Sequence, residues 1–159
     1  MNLLNKFKSD EIDSNRVLIE RAKGVLLKEM RDKEINSFDN PKVIREYLPL
    51  HFSDMDRETF VCLYLDQQHR LIECRNIFYG TINCCAVYPR EVARSSLLLN
   101  ASAVVFAHNH PSGSSKPSDH DIKLTVDLTK ALELLSVRVL DHFIVTDSDS
   151  LSFREQGYL

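Results

Sequence analysis

The sequence predicts a layered α/β domain, and three observations lead to this prediction. Stretches with apolar residues at helical spacing alternate along the chain with short stretches rich in β-forming residues. One apolar run, Ala103–His110, is nearly continuous, which is typical of a strand covered on both faces. The chain has 159 residues, 43% of them hydrophobic, enough for one domain with a real core. Strands interleaved with helices favour helices packed on a sheet.

The first two predicted elements are helices. Residues 14–33 carry apolar side chains at helical spacing with charged residues between them. Residues 36–40 are polar and resemble a linker. Asn40 is then expected to cap a short helix whose first helical residue is Pro41. That helix should end before Pro49, because a proline inside a helix removes a backbone hydrogen bond.

The residue pattern in the middle of the chain predicts strands. Residues Thr59–Asp66 are rich in β-formers, and the polar stretch 67–70 is typical of a turn. Leu71–Tyr79 then reads as the return strand of a hairpin. Residues 81–87 predict one more strand.

The last part of the chain alternates between helix and strand. Pro89 is expected to open a helix that runs through Leu99, and Ala103–His110 is the buried strand. A loop rich in serine, glycine and proline leads to a long helix over residues 119–135. Residues 137–145 supply a further strand.

Composition, apolar runs and cysteine spacing narrow the class of protein. The net charge of −3 and the pI near 6.1 give no support to a nucleic-acid surface, although a local basic patch would still allow one. No apolar run is long enough for a membrane span and none resembles a signal peptide, so we expect a cytoplasmic protein. The cysteines form no C-x-x-C pair, and we expect buried, reduced thiols rather than disulfides or a cysteine metal site. They are Cys62, Cys74, Cys84 and Cys85.

Two histidines at the end of the buried strand form a candidate metal site. Side chains alternate between the faces of a strand, so His108 and His110 project to one face and Asn109 to the other. Pro111 ends the strand directly after them, which places the pair at a rim of the sheet. Two imidazoles in this arrangement can share one metal ion.

A carboxylate from the next helix can complete the site. Asp121 falls in the first helical turn, with Ser118 as the expected N-cap. A loop that folds the helix start over the strand end would give a three-ligand site of His108, His110 and Asp121 with an open position, as catalytic zinc requires. Ser118 and Asp121 also have the spacing of a capping box, which alone would explain both residues. Capping and metal binding are compatible.

The same residues resemble a known motif. The run His-x-His-x₇-Ser-x₂-Asp, formed by His108, His110, Ser118 and Asp121, matches the JAMM motif of the MPN-plus metalloproteases at each signature position. The motif is long, so agreement at every position is specific.

Further stretches are similar to the RadC-like branch of that superfamily. They are Gly80–Asn83, Tyr88–Glu91, Ala107–Gly113 and Asp141–His142. The resemblance covers roughly residue 37 to the C-terminus. It implies a three-layer α/β/α sandwich with a mixed sheet, similar to the cytidine deaminase fold. On this basis residues 1–36 are an N-terminal helical extension and residues 37–159 are the MPN (JAMM) domain.

The resemblance also implies an activity. Many members of the superfamily cleave peptide or isopeptide bonds with one zinc ion per chain, so the expected partner is a peptide or protein substrate. By this carry-over His108, His110 and Asp121 are the zinc ligands, and Ser118 orients water or stabilises the oxyanion. The family also uses a glutamate from an early strand as general base, and Glu58 best corresponds to it.

Two other glutamates compete with Glu58 for the role of general base. Glu91 lies at a predicted helix start, where a favourable interaction with the helix dipole explains it. Glu73 lies inside a strand and can simply face solvent. His142 has core-like neighbours, so we interpret it as a structural histidine with a possible role beside the metal site.

Two other functions compete with a zinc hydrolase. A site of two histidines and one carboxylate also suits ferrous iron in an oxygenase, although the spacing matches the JAMM pattern much better. The second is a non-catalytic module associated with DNA repair or partner binding. Long RadC-type proteins carry a helix-hairpin-helix module, which the N-terminal helix of this chain does not resemble. The patterns in the sequence predict no particular oligomeric state.

Overall fold

A five-stranded mixed sheet forms the centre of the computed structural model. The structure describes residues 3–32, 41–79 and 87–159, but not the side chains of residues 3–13 and of Pro41. The strands are β1 (Thr59–Leu65), β2 (Leu71–Tyr79), β3 (Ala103–Asn109), β4 (Arg138–Val145) and β5 (Ser150–Ser152). Their order is β2-β1-β3-β4-β5. Strands β3 and β4 run parallel, and every other neighbouring pair is antiparallel.

Helices cover both faces of this sheet. They are α1 (Leu3–Arg31), α2 (Pro41–Phe52), α3 (Pro89–Leu98) and α4 (Asp119–Glu133). Strand β1 shows the two faces clearly, because Val61 and Leu63 belong to the core cluster of α1 and α2, whereas Cys62 and Tyr64 belong to the cluster of α3 and α4. The structure is therefore a three-layer α/β/α sandwich, and the predicted fold class is confirmed.

The strands that carry the candidate site are the most buried part of the sheet. Every residue of β1 and of β3 is buried. Strand β3 lies in the middle of the sheet between β1 and β4, which explains why its sequence is nearly continuously apolar. A strand held on both sides and both faces gives its C-terminal end a fixed position.

Two predicted boundaries were wrong, and one strand was missed. Helix α2 continues past Pro49 to Phe52, because Leu48 and Phe52 are buried in the core and their burial offsets the hydrogen bond that the proline removes. Helix α1 begins at Leu3 rather than at residue 14. Strand β5 was not predicted, since its three residues are too few for a periodic pattern. The expected linker and the cap Asn40, and the expected strand at 81–87 except Val87, lie outside the described residues.

The N-terminal helix shares the core of the rest of the chain. Met30 is 1% exposed and belongs to the hydrophobic cluster that α2 forms with one face of the sheet. Leu26 and Leu27 pack against this cluster. The boundary between residues 36 and 37 lies outside the described residues, so the division into extension and domain stays a prediction.

Two sequence-based exclusions have a structural counterpart. No helix among residues 3–32, 41–79 and 87–159 is both long and apolar enough to cross a membrane. Cys62 in β1 is a buried free thiol and Cys74 in β2 is a half-buried one, as expected for reduced cysteines. Cys84 and Cys85 lie outside the described residues.

Candidate metal centre

The two histidines of the candidate site meet at the C-terminal end of β3. His108 is 2% exposed and His110 is half-buried. Their Nε2 atoms lie 2.9 Å apart, so the predicted common orientation is confirmed. The backbone N–H of His110 donates to the carbonyl of Val145 at 2.9 Å, which ties the chain just beyond β3 to β4. Both imidazoles are thus held by a backbone that the sheet fixes.

The start of α4 brings Asp121 to these histidines. Its Oδ1 lies 3.4 Å from Nε2 of His108, and its Oδ2 lies 3.7 Å from Nε2 of His110. One potential ligand atom from each of the three residues falls within 4.8 Å of the others. The loop between β3 and α4 therefore folds back as the three-ligand hypothesis requires.

Ser118 caps α4 and also holds the carboxylate of Asp121. The Asp121 N–H donates to Ser118 Oγ at 3.2 Å, and the Ser118 N–H donates to Asp121 Oδ2 at 2.8 Å, which completes a capping box. The Ser118 hydroxyl donates to the same Oδ2 at 2.6 Å. Capping and convergence on the histidines therefore occur together, and Oδ1 is left without a donor from Ser118.

The orientation of the His110 ring is set by the loop that follows β3. The Gly113 N–H donates to the His110 carbonyl at 3.0 Å and closes a turn in which Gly113 has φ +81°, a conformation that favours glycine. Just after this turn, the Ser114 carbonyl lies 2.6 Å from Nδ1 of His110. Because a carbonyl only accepts, Nδ1 carries the hydrogen, and the lone pair of a neutral ring lies on Nε2, toward His108.

His108 and Asp121 are held in the protonation states that bind metals. Burial lowers the pKa of His108 to about 4, so this imidazole is neutral at neutral pH. Burial alone would raise the pKa of Asp121, but hydrogen bonding to His110, the neighbouring His108 and the two bonds from Ser118 lower it well below its usual range. The negative charge of Asp121, whose Oδ2 lies 3.7 Å from Nε2 of His110, raises the pKa of His110 despite partial burial. A neutral imidazole and an ionised carboxylate are both metal ligands.

The three residues fit a metal ion with one open position. Nitrogen ligands of one tetrahedral zinc, each about 2.0–2.1 Å from the ion, lie about 3.3 Å apart. The contacts of 2.9, 3.4 and 3.7 Å among these side chains are close to that spacing. Two nitrogens that face each other without a hydrogen between them repel, and a shared cation relieves this repulsion. Three protein ligands with a vacancy are the pattern of catalytic zinc rather than structural zinc.

Glu58 lies directly before β1 on the same side of the sheet. Phe60 pairs with His108 in the antiparallel register of β1 and β3, and continuing this register places Glu58 opposite His110. Its negative charge is a minor contribution to the raised pKa of His110, after that of Asp121. Glu58 is half-buried, and no hydrogen bond or ion pair to its carboxylate is found in the described part of the chain.

Asn109 holds the backbone on both sides of Glu58. Its Oδ1 accepts from the Thr59 N–H at 2.7 Å, and its Nδ2 donates to the Arg57 carbonyl at 3.1 Å. The predicted alternation of side chains correctly placed Asn109 on the face opposite the histidines. Its hydrogen bonds to the backbone around Glu58 were not predicted. Its partners lie 50 and 52 residues away, so no local pattern could indicate them.

The structure places the two rival glutamates elsewhere. Glu73 lies within β2, opposite Tyr64, and its carboxylate is bound by Arg75 at 2.5 Å. Glu91 lies in the first turn of α3, with Arg90 and Arg94 at 3.5 and 3.9 Å. Both carboxylates pair with an arginine, whereas the register of β1 and β3 places Glu58 opposite His110.

His142 lies behind His108 rather than beside the potential ligand atoms. Its Nε2 is 2.8 Å from Nδ1 of His108, and its Nδ1 is 2.6 Å from Oγ1 of Thr125. Both ring nitrogens are therefore used within the protein. The sequence pointed to a role for His142 beside the site, whereas Thr125 was missed. The one sequence signal for Thr125 is its position four residues after Asp121, on the same side of a helix.

Comparison with known proteins agrees with the resemblance. Residues 38–158 match the model of the RadC-like JAB domain. A UPF0758 protein of Histophilus somni (strain 2336) is 45% identical over 140 residues, which are 88% of this chain and 62% of that protein. A UPF0758 protein of Polaromonas sp. is 46% identical over 142 residues, 89% of this chain and 62% of the relative. A third, of Photobacterium profundum, is 49% identical over 127 residues, 80% of this chain and 57% of the relative.

The chain therefore spans less than two thirds of the length of these relatives. The family model, in contrast, matches most of the chain and includes every residue of the candidate metal centre. This chain belongs to the RadC-like JAB domain family.

Proposed function

We propose that this protein is a zinc-dependent hydrolase that cleaves peptide or isopeptide bonds in the cytoplasm, with one zinc per chain. The observation that carries the proposal is the convergence of His108, His110 and Asp121 on one point, with Glu58 on the same side of the sheet. Three protein ligands leave room for water and a substrate carbonyl. A binding module would need neither the open position nor a glutamate beside it without an ion-pair partner among the described residues.

Glu58 is the general base of this proposal. Zinc, when bound, supplies a Lewis acid that lowers the pKa of water to about 7 and polarises a carbonyl. The Glu58 carboxylate lies opposite His110 and is free to take a proton from the attacking water. The same carboxyl group then gives this proton to the leaving amine. Asn109 keeps Glu58 in place by holding the chain at Arg57 and Thr59.

Ser118 is the candidate donor to the developing oxyanion. Its hydroxyl donates to Asp121 Oδ2, and that oxygen also accepts from the Ser118 N–H at 2.8 Å. The hydroxyl can therefore turn toward a substrate oxygen without leaving Oδ2 unpaired. A donor placed where negative charge develops typically changes kcat by about 10²–10³-fold.

Metal analysis tests the zinc site. The protein is purified without a histidine tag, and bound metals are quantified in the parent and in His108→Ala and Asp121→Ala. We expect about one zinc per chain in the parent and none in either folded variant, since each loses one of only three protein ligands. His120→Ala is the matched control, because His120 is exposed and adjacent in sequence to Asp121 but is not among the converging residues.

Screening with peptide and isopeptide libraries tests the reaction. Glu58→Gln should retain zinc and lose hydrolysis, whereas Glu91→Gln should retain both. If the parent binds no metal when zinc is supplied, or if His108→Ala and Asp121→Ala bind zinc as the parent does, the proposal is wrong. If zinc binds but Glu58→Gln hydrolyses as fast as the parent, the assignment of the base is wrong.

A further inference from the structure

We propose that Thr125 and His142 form a buried hydrogen-bond chain that fixes the tautomer of His108 and so presents its Nε2 lone pair to the metal. The inference rests on the zinc site proposed above and concerns how that site is prepared. Neither Thr125 nor His142 contributes one of the converging ligand atoms. Both are positioning residues, and they act through His108.

The chain joins two of the candidate ligands behind the site. The Thr125 hydroxyl lies 2.6 Å from the backbone carbonyl of Asp121 and 2.6 Å from Nδ1 of His142. Nε2 of His142 then lies 2.8 Å from Nδ1 of His108. Thr125, His142 and His108 are all fully buried, so no water competes for these bonds.

The carbonyl at one end sets the direction of every bond. A carbonyl oxygen only accepts, so the Thr125 hydroxyl must donate its hydrogen to Asp121. Thr125 Oγ1 then has only lone pairs for His142, and Nδ1 of His142 must carry the hydrogen. A neutral imidazole has one donor and one acceptor, so Nε2 of His142 accepts and Nδ1 of His108 donates.

The last step decides the state of the metal-facing atom. With its hydrogen on Nδ1, His108 holds a lone pair on Nε2, the atom that lies 3.4 Å from Asp121 Oδ1. His110 reaches the same state by another device, because its Nδ1 donates to the Ser114 carbonyl at 2.6 Å. Both imidazoles are thus prepared as Nε2 ligands before any metal binds, and outer partners of this kind orient metal ligands in general.

Three aromatic rings surround the imidazole of His142 in the described part of the chain. The centroids of Phe60, Phe106 and Phe153 lie 5.4, 5.9 and 4.7 Å from that of His142. These aromatic rings hold the imidazole plane in place and form no conventional hydrogen bond with its nitrogens. When Thr125 loses its hydroxyl, His142 can move its hydrogen to Nε2 and donate to His108, which then carries its own hydrogen on the metal-facing nitrogen.

Zinc affinity of threonine variants tests the chain. Thr125→Val keeps the shape of the side chain and removes the hydroxyl, so we expect the zinc Kd to rise by about 10–100-fold, as for other outer partners of zinc ligands. Thr125→Ser keeps the hydroxyl and should bind zinc as the parent does. Thr129→Val is the matched control, because Thr129 lies one turn later in α4 and makes the same type of bond. Its hydroxyl donates to the backbone carbonyl of Thr125 at 2.8 Å.

Histidine NMR on the metal-free protein gives a second readout that a purely structural role would not change. The parent should show His142 with its hydrogen on Nδ1, and this measurement needs no variant to fold. Thr125→Val should show a population with the hydrogen on Nε2. Zinc binding in Thr125→Val as tight as in the parent, or His142 protonated on Nε2 in the parent, would overturn the inference alone. A parent that binds no zinc would instead overturn the proposed function.

Discussion

Two polar clusters, one around His51 and one around His108 and His110, lie on opposite faces of the sheet. They differ in what the ring nitrogens of these histidines contact. On the α2 side, Nδ1 of His51 is 2.9 Å from the Tyr47 hydroxyl and Nε2 is 2.7 Å from Oδ1 of Asn76. On the α4 side, His108 and His110 each use Nδ1 for a protein partner and turn Nε2 toward the other and toward Asp121. The first cluster is complete without a ligand, whereas the second leaves lone pairs that face one another.

The comparison separates a structural histidine from a candidate metal ligand by hydrogen-bond direction. The Asn76 oxygen only accepts, so His51 donates from Nε2 and accepts from Tyr47 on Nδ1, and no nitrogen is left over. Burial does not make the distinction, because His108 is more buried than His51 and yet keeps a free nitrogen. His142 is fully buried and resembles His51 in this respect, since both of its nitrogens have protein partners.

The largest expected effect is that His110→Ala lowers the affinity for zinc whereas His51→Ala lowers the stability of the fold. His110→Ala should weaken zinc binding by more than about hundredfold, beyond the range for outer partners, with little loss of stability because His110 is at the rim. His51→Ala should leave the zinc Kd unchanged and lower the free energy of unfolding by about 1–3 kcal/mol, because Tyr47 and Asn76 lose a partner. Zinc titration and urea unfolding measure the two quantities. Zinc loss in His51→Ala would break the comparison.

Asn109→Ala should affect the backbone at Arg57 and Thr59, which positions Glu58, without affecting the candidate metal ligands. The buried Thr59 N–H loses its acceptor, so we expect a loss of about 1–3 kcal/mol in the free energy of unfolding. Zinc affinity should stay at the parent value, because the Asn109 side chain lies on the other face of β3. Hydrolysis should fall, since Glu58 loses the support of its neighbours. Urea unfolding and zinc titration check this, and a large change in zinc Kd would contradict the separation.

The pH dependence of stability should carry the signature of His51. Burial lowers the pKa of His51 in the folded protein below the value near 6.5 expected when unfolded. The unfolded chain therefore binds the proton first, so stability is full above about pH 6.5 and falls as the pH drops, by up to about 1.4 kcal/mol per pH unit for this group. His51→Gln should show a shallower fall between pH 7 and 5 in metal-free urea unfolding. An identical slope in both proteins would show that His51 does not titrate differently on folding.

The smallest expected effect concerns the loop that orients His110. Gly113→Ala should cost about 1 kcal/mol, because an alanine resists the positive φ of this turn. A Cβ there would meet no atom within 4 Å, so the backbone conformation is the only source of the cost. Zinc should bind more weakly than in the parent, since the Ser114 carbonyl loses its position. Gly24→Ala, in helix α1 with equally open space, is the control and should not weaken zinc binding.

Local sequence patterns predicted the elements of the candidate site, and tertiary contacts supplied its details. The apolar run ending at His108 and the Ser118–Asp121 capping box are local signals, and both were found within one or two residues of the observed boundaries. The functions of Asn109, Thr125 and His142 depend on the register of β1 on β3 and on the packing of α4 on β4. The continuation of α2 past Pro49 depends on burial of Phe52, which no helical propensity encodes.

Calorimetric titration of zinc into the metal-free parent, His110→Ala and His51→Ala tests the central claim most directly. The arrangement of Nε2 atoms predicts one zinc per chain in the parent and in His51→Ala, and loss of that binding in His110→Ala. No zinc binding in the parent, or retention of it in His110→Ala, would contradict the assignment of His108, His110 and Asp121 as a metal centre.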